Sequence, residues 1–319
     1  MLRAALSLAS PSGARGRLSI LAFHRVLDRA DPLMPELPSA AEFERRMRWV
    51  RQWFQVLPLA RAIERLYEGS IPSRALAITF DDGYADNETI AAPLLARLGL
   101  TATFFVSTGY LEGGSMFNDR IIEAIRGAAL DEIDLDAIGL GRRSLANVAA
   151  RRLAIDAILE AVKHQEPQRR EAATEAVVRA AGARPSPPSM MRPGQVRALR
   201  AAGMDIGAHT VTHPILTRIT APEARAEMQA SKQALEAIVD ARVDLFAYPN
   251  GVPGRDYGPE HIAMARDCGF DAAVSTAWGA ASMRSDRFQL PRFTPWDRTR
   301  LRFGLRMVGN FTRSEVTVG

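Results

Sequence analysis

The sequence predicts an α/β protein built on a parallel sheet, and two observations lead to this fold class. Short apolar runs, typical of buried strands, alternate with amphipathic stretches that have helical spacing. Such alternation indicates a parallel sheet with helical crossovers, either open or closed into a barrel. We predict strands at residues 18–23, 75–80, 101–106, 203–208, 243–248 and 270–275.

Two of the intervening helices have recognisable starts. The segments SAAE (39–42) and TAPE (220–223) each place a hydroxyl residue three positions before a glutamate, as in a capping box. Apolar residues then recur at helical spacing after the first segment, at Phe43, Met47, Val50 and Phe54. We therefore expect helices to begin at both segments.

Residues 115 to about 190 interrupt this alternation. The stretch is rich in Ala and Arg, favours helix, contains no convincing strand pattern and ends in the linker ARPSPPSMMRP (183–193). We interpret 115–190 as a helical insertion within a single domain that spans residues 1–319.

Composition narrows the class of protein. The chain of 319 residues is 47% hydrophobic and 24% charged, as in globular proteins, and no apolar run approaches the 18 or so residues of a membrane helix. The single cysteine, Cys268, excludes an internal disulfide framework. The net charge of +5 is spread widely, so nucleic acid is not indicated as a partner. The N-terminal apolar patch is shorter than a secretory signal requires, and we expect a cytoplasmic protein.

The C-terminal segment RTRLRFGLRMVGNFTR (298–313) has two interpretations. It fits a solvated surface helix, and it also fits a basic amphipathic helix that contacts the inner face of a membrane.

Two adjacent carboxylates, Asp81 and Asp82, directly follow the predicted strand 75–80, with Gly83 behind them. In parallel α/β sheets the ligand site lies beyond the carboxyl ends of the strands, so both side chains should face that site. The alternative is an ordinary Asp-Gly turn with solvated carboxylates.

The segment HTVTH follows the strand 203–208 and places His209 and His213 four positions apart. On a helical turn these residues share a face, so both imidazoles can reach one ion. With Asp82 as third ligand they form a donor set for Zn²⁺ or a similar divalent ion, which leaves Asp81 free as a general base. The alternative is a pair of surface histidines.

Three further residues follow predicted strands or lie near the C-terminus. His24, after strand 18–23, is a candidate acid for a leaving amine or a structural histidine at a strand end. The N–H of Asn250, in the turn PNG, is a candidate oxyanion donor or part of a plain turn. Arg292, in LPRF, is a candidate partner for Asp81 or a surface ion-pair residue.

Together these segments resemble the polysaccharide deacetylase superfamily of NodB-like carbohydrate esterases. TFDDGYADN is similar to its first motif, with a catalytic base (Asp81) and a metal ligand (Asp82), and HTVTH is similar to its second, with both histidine ligands. The resemblance covers nearly the whole chain apart from 115–190. It implies a distorted (β/α) barrel of about seven strands.

Two departures from the family pattern matter. The third motif usually begins with an arginine that braces the catalytic Asp, and Ala247 stands at that position. The late Leu-x-His motif is missing, and LAFHRV near the N-terminus is similar to it, as in the rearranged subgroup that includes poly-N-acetylglucosamine deacetylases. The resemblance therefore gives the acid role to His24 and makes Arg292 a replacement for the missing arginine.

The expected function is metal-dependent removal of N-acetyl groups from amino sugars of a polysaccharide or glycoconjugate. Zn²⁺ is the expected cofactor, and Co²⁺ and Ni²⁺ suit the same ligands. Two alternatives stay open: deacylation of a small amide or lipid-linked sugar, and a catalytically inactive carbohydrate-binding barrel.

Overall fold

The computed structural model describes residues 2–183, 188–313 and 317–318. Within these ranges the strands are β1 (Leu18–Phe23), β2 (Gln55–Val56), β3 (Ala75–Phe80), β4 (Thr103–Val106), β5 (Glu132–Asp134), β6 (Arg142–Ser144), β7 (Asp205–Ala208), β8 (Leu245–Ala247) and β9 (Ala272–Val274). The α-helices are α1 (Leu2–Ala9), α2 (Ala40–Trp53), α3 (Leu59–Tyr67), α4 (Ala92–Arg97), α5 (Phe117–Gly127), α6 (Val148–Lys163), α7 (Pro167–Ala181), α8 (Pro193–Ala201), α9 (Ala221–Val239), α10 (Pro259–Asp267) and α11 (Arg300–Thr312).

Seven strands form the central sheet in the order β1-β3-β4-β7-β8-β9, with β2 also paired to β3. Every pairing in this sheet is parallel. Strand β3 has β1 along one edge, from Leu18 opposite Ala75 to Phe23 opposite Phe80. Its other edge pairs with β2 at the start and with β4 at the end. The predicted α/β fold class is confirmed, and all six predicted strands are present, four of them shorter than predicted.

The segment 290–293 closes the sheet into a distorted barrel. Leu290 N–H donates to the carbonyl of Ala273 in β9, with an N–O distance of 3.0 Å. Phe293 N–H donates to the carbonyl of Ile20 in β1 at 2.8 Å. Because this short segment bonds to both outer strands, it fills the gap between them, and the barrel predicted from the family resemblance is confirmed.

Strand burial explains why the apolar runs fold as they do. Every residue of β1 and β3 is buried, as expected for central parallel strands covered on both faces. The rings of Phe23, Phe43 and Phe80 meet with centroids 5.3–5.7 Å apart, and Phe104 stacks on Phe80 at 4.9 Å. Each such side chain stabilises the fold by about 1.5–3 kcal/mol on burial.

Both predicted helix starts are confirmed. Ser39 caps α2 in a reciprocal capping box with Glu42, and at the start of α9 the Glu223 side chain accepts from the N–H of Thr220 at 2.8 Å. These local hydrogen bonds satisfy backbone N–H groups that have no partner inside the helix.

Between β4 and β7 the chain forms α5, a β-hairpin of β5 and β6, and then α6 and α7. The prediction of no strand in this stretch is wrong. Each hairpin strand has three residues and β6 is fully exposed, so neither carries a readable apolar pattern. Ile133 of β5 is buried in an apolar cluster formed by these elements, with Ile121, Ile158 and Val177. We propose, as predicted, that 115–190 is an insertion in a single domain; residues 184–187 of the expected linker lie outside the described ranges.

The C-terminal helix α11 packs on α1 and buries Phe303, Met307 and Phe311. Its other face exposes Leu301 and Leu305, which are 68% and 59% accessible. Among the described helices, none has both the length and the apolarity needed to span a bilayer.

Candidate metal centre and active site

The predicted site residues converge at the carboxyl ends of the parallel strands. A pocket of about 250 Å³ is lined by six of the seven, and Thr276 after β9 also lines it. The six are His24, Asp81, Asp82, His209, His213 and Asn250. Arg292, the seventh, is buried behind Asp81. The parallel topology brings them together because the strands end at the same rim of the barrel.

The turn after β3 is held in an unusual backbone conformation. Asp82 and Gly83 have φ angles of 78° and 91°, in the left-handed region. A Cβ at position 83 would lie 2.9 Å from Cγ1 of Val106, so the close approach to β4 also requires glycine. Aspartate tolerates such angles better than most residues, and strain of this kind is concentrated at functional sites.

Three donor atoms in the pocket could hold a metal ion. The ligand atoms of Asp82, His209 and His213 all lie within 4.8 Å of one another, and Oδ1 of Asp82 is 3.4 Å from Nε2 of each histidine. Oδ1 of Asp82 is buried without a hydrogen-bond partner. A buried carboxylate oxygen of this kind is costly unless a cation faces it, so these residues fit a divalent ion.

The orientation of His209 also fits metal binding. Its Nδ1 lies 2.7 Å from the carbonyl oxygen of Ala247, so Nδ1 carries the proton and donates. This leaves the lone pair of Nε2 facing Asp82 and His213, since second-shell contacts of this type set the tautomer of ligand histidines. Ala247 stands where the family motif usually has arginine, and it contributes to the site through its backbone carbonyl.

The pKa values of two of the three candidate ligands, His213 and Asp82, favour the forms that bind a cation. Burial lowers the pKa of His213 to about 3, so its imidazole is neutral at pH 7. Burial disfavours charge on Asp82, but the neighbouring histidines, chiefly His209, outweigh it and lower the pKa of Asp82. Both groups can therefore bind a cation without first losing a proton.

The HTVTH segment is not a helical turn, and this part of the prediction is wrong. No helix covers 209–213, and Thr210 and His213 have φ angles of 64° and 53°. The hydroxyl of Thr210 accepts from the N–H of His213 at 3.1 Å. The two imidazoles meet because the loop folds back on itself, with ring centroids 4.8 Å apart, and not because of i,i+4 spacing.

Glu227 of α9 supports this loop, and the sequence analysis missed it. Its carboxylate accepts from the N–H of Val211 at 2.7 Å, from the N–H of Thr212 at 2.8 Å and from the Thr212 hydroxyl at 2.7 Å. No sequence signal identifies Glu227, because it lies on a helix surface 14 residues after His213 and its role depends on how α9 packs on β7.

Asp81 and Arg292 form a buried bidentate ion pair. Nη1 and Nη2 of Arg292 donate to the two carboxylate oxygens of Asp81, each at 2.7 Å, and the arginine side chain is 1% exposed. Its Nε donates to the carbonyl of Ser275 at 2.8 Å, and Nη1 also contacts Oγ1 of Thr79 at 3.2 Å. Burial acts to raise the pKa of Asp81, but Arg292 and the nearby His209 outweigh it, so the pKa is lowered.

His24 is an exposed residue on the pocket rim, and residues of the DDGYADN segment hold its backbone. The buried Asn87 side chain donates to the carbonyl of His24 at 2.8 Å. Asp86 accepts from Nε of Arg25 at 2.8 Å, and that guanidinium lies over the ring of Tyr84 at 4.5 Å. These three supporting residues were missed, although they lie in the same segment as the two aspartates.

Asn250 has a φ of 59°, and its carbonyl accepts from the Thr276 hydroxyl at 2.7 Å. Among the described residues, no group accepts a hydrogen bond from its backbone N–H. Asn250 therefore remains a candidate donor to a ligand in the pocket.

The stretch between β4 and β7 contributes the other wall of the pocket, which the sequence analysis did not predict. The side chains come from the start of α5 and the end of α6, and they are Met116, Phe117, Asn118, Leu159 and Lys163.

The chain is thus a (β/α)-barrel protein with an Asp–His–His group that could hold a metal ion and a buried Asp–Arg pair beside it. A model of the polysaccharide deacetylase family matches residues 68–273, and the chain therefore belongs to this family.

Individual relatives agree with this assignment. The putative polysaccharide deacetylase YxkH of Bacillus subtilis (strain 168) is 22% identical over 278 residues, which cover 86% of this chain and 70% of the relative. Among solved structures, the Streptococcus pyogenes deacetylase PplD in complex with acetate has a TM-score of 0.59 at 18% identity, covering 87% of this chain and 92% of that chain. IcaB from Ammonifex degensii has a TM-score of 0.58 at 17% identity, covering 92% and 98%. These structural likenesses support the fold.

Proposed function

We propose that the chain is a metal-dependent hydrolase that removes N-acetyl groups from amino sugars of a polysaccharide or glycoconjugate. One observation carries the proposal. An ion-paired carboxylate, Asp81, lies in the same pocket as the unpartnered Asp82 oxygen and its two histidines. This arrangement supplies separate groups for accepting a proton and for binding a cation.

Asp82, His209 and His213 would hold the ion, and their donor set suits Zn²⁺ best, with Co²⁺ and Ni²⁺ accepting the same ligands. A bound ion of this kind polarises an acyl carbonyl and lowers the pKa of water to about 7.

Asp81 accepts the proton of the attacking water. Arg292 occupies one lone pair on each carboxylate oxygen and keeps the group ionised, and each oxygen retains a second lone pair for the proton. His24, on the open rim, donates a proton to the departing amine nitrogen. The N–H of Asn250 hydrogen-bonds the developing oxyanion.

The relatives support an acetyl substrate. The family is that of polysaccharide deacetylases, and a structure of similar fold, from Aggregatibacter actinomycetemcomitans, is described as a de-N-acetylase, with a TM-score of 0.59, 15% identity and 92% of this chain covered. The contact between Arg292 and Asp81 favours an enzyme over an inactive carbohydrate-binding barrel, because a binding protein has no need to keep a buried carboxylate ionised.

The test is acetate release from N-acetylglucosamine oligomers, with and without a chelator. We expect chelator-sensitive release, and we expect Asp81→Asn to bind metal stoichiometrically while its turnover falls by about 10²–10⁴-fold. Asp156→Asn, an exposed change on α6, is the matched control. Full turnover by Asp81→Asn would contradict the base assignment, and a metal-loaded protein that releases no acetate would contradict the acetyl substrate.

A lipid-linked amino sugar is the second candidate substrate, and α11 is the observation that favours it. The exposed Leu301 and Leu305 lie beside Arg300 and Arg302, and the helix has no acidic residue, which suits contact with an anionic membrane surface. Co-sedimentation with vesicles that contain phosphatidylglycerol should be lost in Leu301→Ser/Leu305→Ser. Equal binding by that variant would remove the argument from α11.

A further inference from the structure

The wall of the catalytic pocket that residues 115–190 provide contains one cationic side chain, Lys163. Leu159 and Lys163 lie four positions apart on α6, so they share a helix face, and both line the pocket with the metal-binding group. Their neighbours from α5 are Met116, Phe117 and Asn118. Lys163 is the only Lys or Arg side chain among the residues that line this pocket.

The ammonium of Lys163 has no counter-ion among the described residues. Burial lowers its pKa, and the carboxylate that acts on it most strongly is that of Asp256. Asp256 is fully buried and already paired with Arg255 at 2.9 Å. The other lysine, Lys232, contrasts with it, because Lys232 pairs with Glu236 at 3.3 Å and lies over an aromatic ring.

The two carboxylates that line the pocket also have other partners than Lys163. Asp81 is held by both terminal nitrogens of Arg292, and Asp82 faces the two histidines. Neither forms an ion pair with Lys163. A half-buried ammonium without a counter-ion is unfavourable, and an anion supplied by a ligand would compensate for it.

We propose that Lys163 binds an anionic group, a carboxylate or a phosphate, carried by the amino sugar whose acetamide enters the pocket. This inference rests on the proposed function and narrows its substrate class to acidic amino-sugar derivatives. The charged group of such a substrate distinguishes it from neutral N-acetylglucosamine, because a charged hydrogen bond formed away from bulk water contributes strongly to discrimination.

The first experiment compares three substrates: N-acetylglucosamine, N-acetylmuramic acid, which adds a carboxylate, and N-acetylglucosamine 1-phosphate, which adds a phosphate. We expect wild-type kcat/KM to be about tenfold or more higher for at least one anionic sugar than for the neutral one. The anionic sugar with the higher value identifies the source of the charge. In Lys163→Met this ratio should fall to near one, whereas Arg152→Met, which removes an exposed charge from the same helix, should leave it unchanged.

The second experiment separates failure of this inference from failure of the proposed function. Calorimetric titration of metal-loaded Asp81→Asn with the same three sugars measures binding without turnover. Tighter binding of an anionic sugar, lost in Asp81→Asn/Lys163→Met, supports the role of Lys163 even if no sugar releases acetate. If Lys163→Met does not fold by circular dichroism, Lys163→Gln replaces it. Equal binding of all three sugars by Asp81→Asn, or a preference that survives both Lys163 substitutions, would overturn the inference.

Discussion

Replacing Arg292 by methionine should destabilise the protein by about 3–5 kcal/mol. The change removes two 2.7 Å hydrogen bonds to Asp81 and a 2.8 Å bond to the carbonyl of Ser275, all in a buried setting. Opposite charges about 4 Å apart interact by about 4 kcal/mol at an effective dielectric constant of about 20. The loss is of this size because the Asp81 charge stays buried without its partner.

Urea unfolding monitored by circular dichroism measures this loss. Asp81→Asn/Arg292→Met should be more stable than Arg292→Met alone, because an amide leaves no bare charge behind. Arg152→Met, an arginine-to-methionine change at an exposed site, should change the free energy of unfolding by less than about 0.5 kcal/mol.

The same substitution should move the pH profile of acetate release. Arg292 lowers the pKa of Asp81, so without it burial raises that pKa and the base is protonated at higher pH. The acid limb of kcat/KM should therefore shift upward by about 1–3 pH units. The stability that the pair confers is present above the unfolded carboxyl pKa and is lost as pH falls through the lowered folded value. If Arg292→Met keeps a stability within about 1 kcal/mol of wild type and an unmoved acid limb, the pair does not have the proposed role.

Two further predictions concern stability. Burial raises the pKa of Asp119 to about 6 from about 3.8, so the folded state binds more protons between these values and stability should fall by up to about 3 kcal/mol as pH rises from 4 to 7. Asp119→Asn should flatten this dependence in urea titrations of chelator-treated protein, and an unchanged slope would contradict the assignment. A Cβ at Gly207 would lie 2.4 Å from the ring of Phe105, so Gly207→Ala should cost about 1–3 kcal/mol. Gly309→Ala, in α11 with open space around it, should stabilise by about 0.5–1 kcal/mol, and equal effects of the two changes would contradict the packing argument.

Features that depend on neighbouring residues could be predicted from the sequence. Strands β1 and β3 begin and end where their apolar runs do, since a strand covered on both faces needs an uninterrupted apolar run. The helix starts at Ser39 and Thr220 were readable because a cap spans only four residues. Asp81, Asp82 and His209 were placed in the pocket because they directly follow strands of a parallel sheet, whose carboxyl ends share one rim.

Features that depend on long-range contacts could not be predicted from local sequence. Arg292 reaches Asp81 across 211 positions because the segment 290–293 closes the barrel between β9 and β1, and no local pattern encodes that closure. The fold of the HTVTH loop depends on left-handed residues and on Glu227 from a distant helix. Strand β2 was missed because two residues carry no periodicity.

The pocket wall that contains Lys163 also depends on how distant parts of the chain pack. Its residues belong to helices whose sequences indicate helix and nothing more, and the packing of α5 and α6 places them in one pocket with Asp82, His209 and His213. Functional side chains that directly follow parallel strands can be located from local sequence, because the direction of the strand determines at which rim of the barrel they lie. The shape of the pocket, and hence its substrate, depends on how separate elements pack, and that is a property of the whole chain.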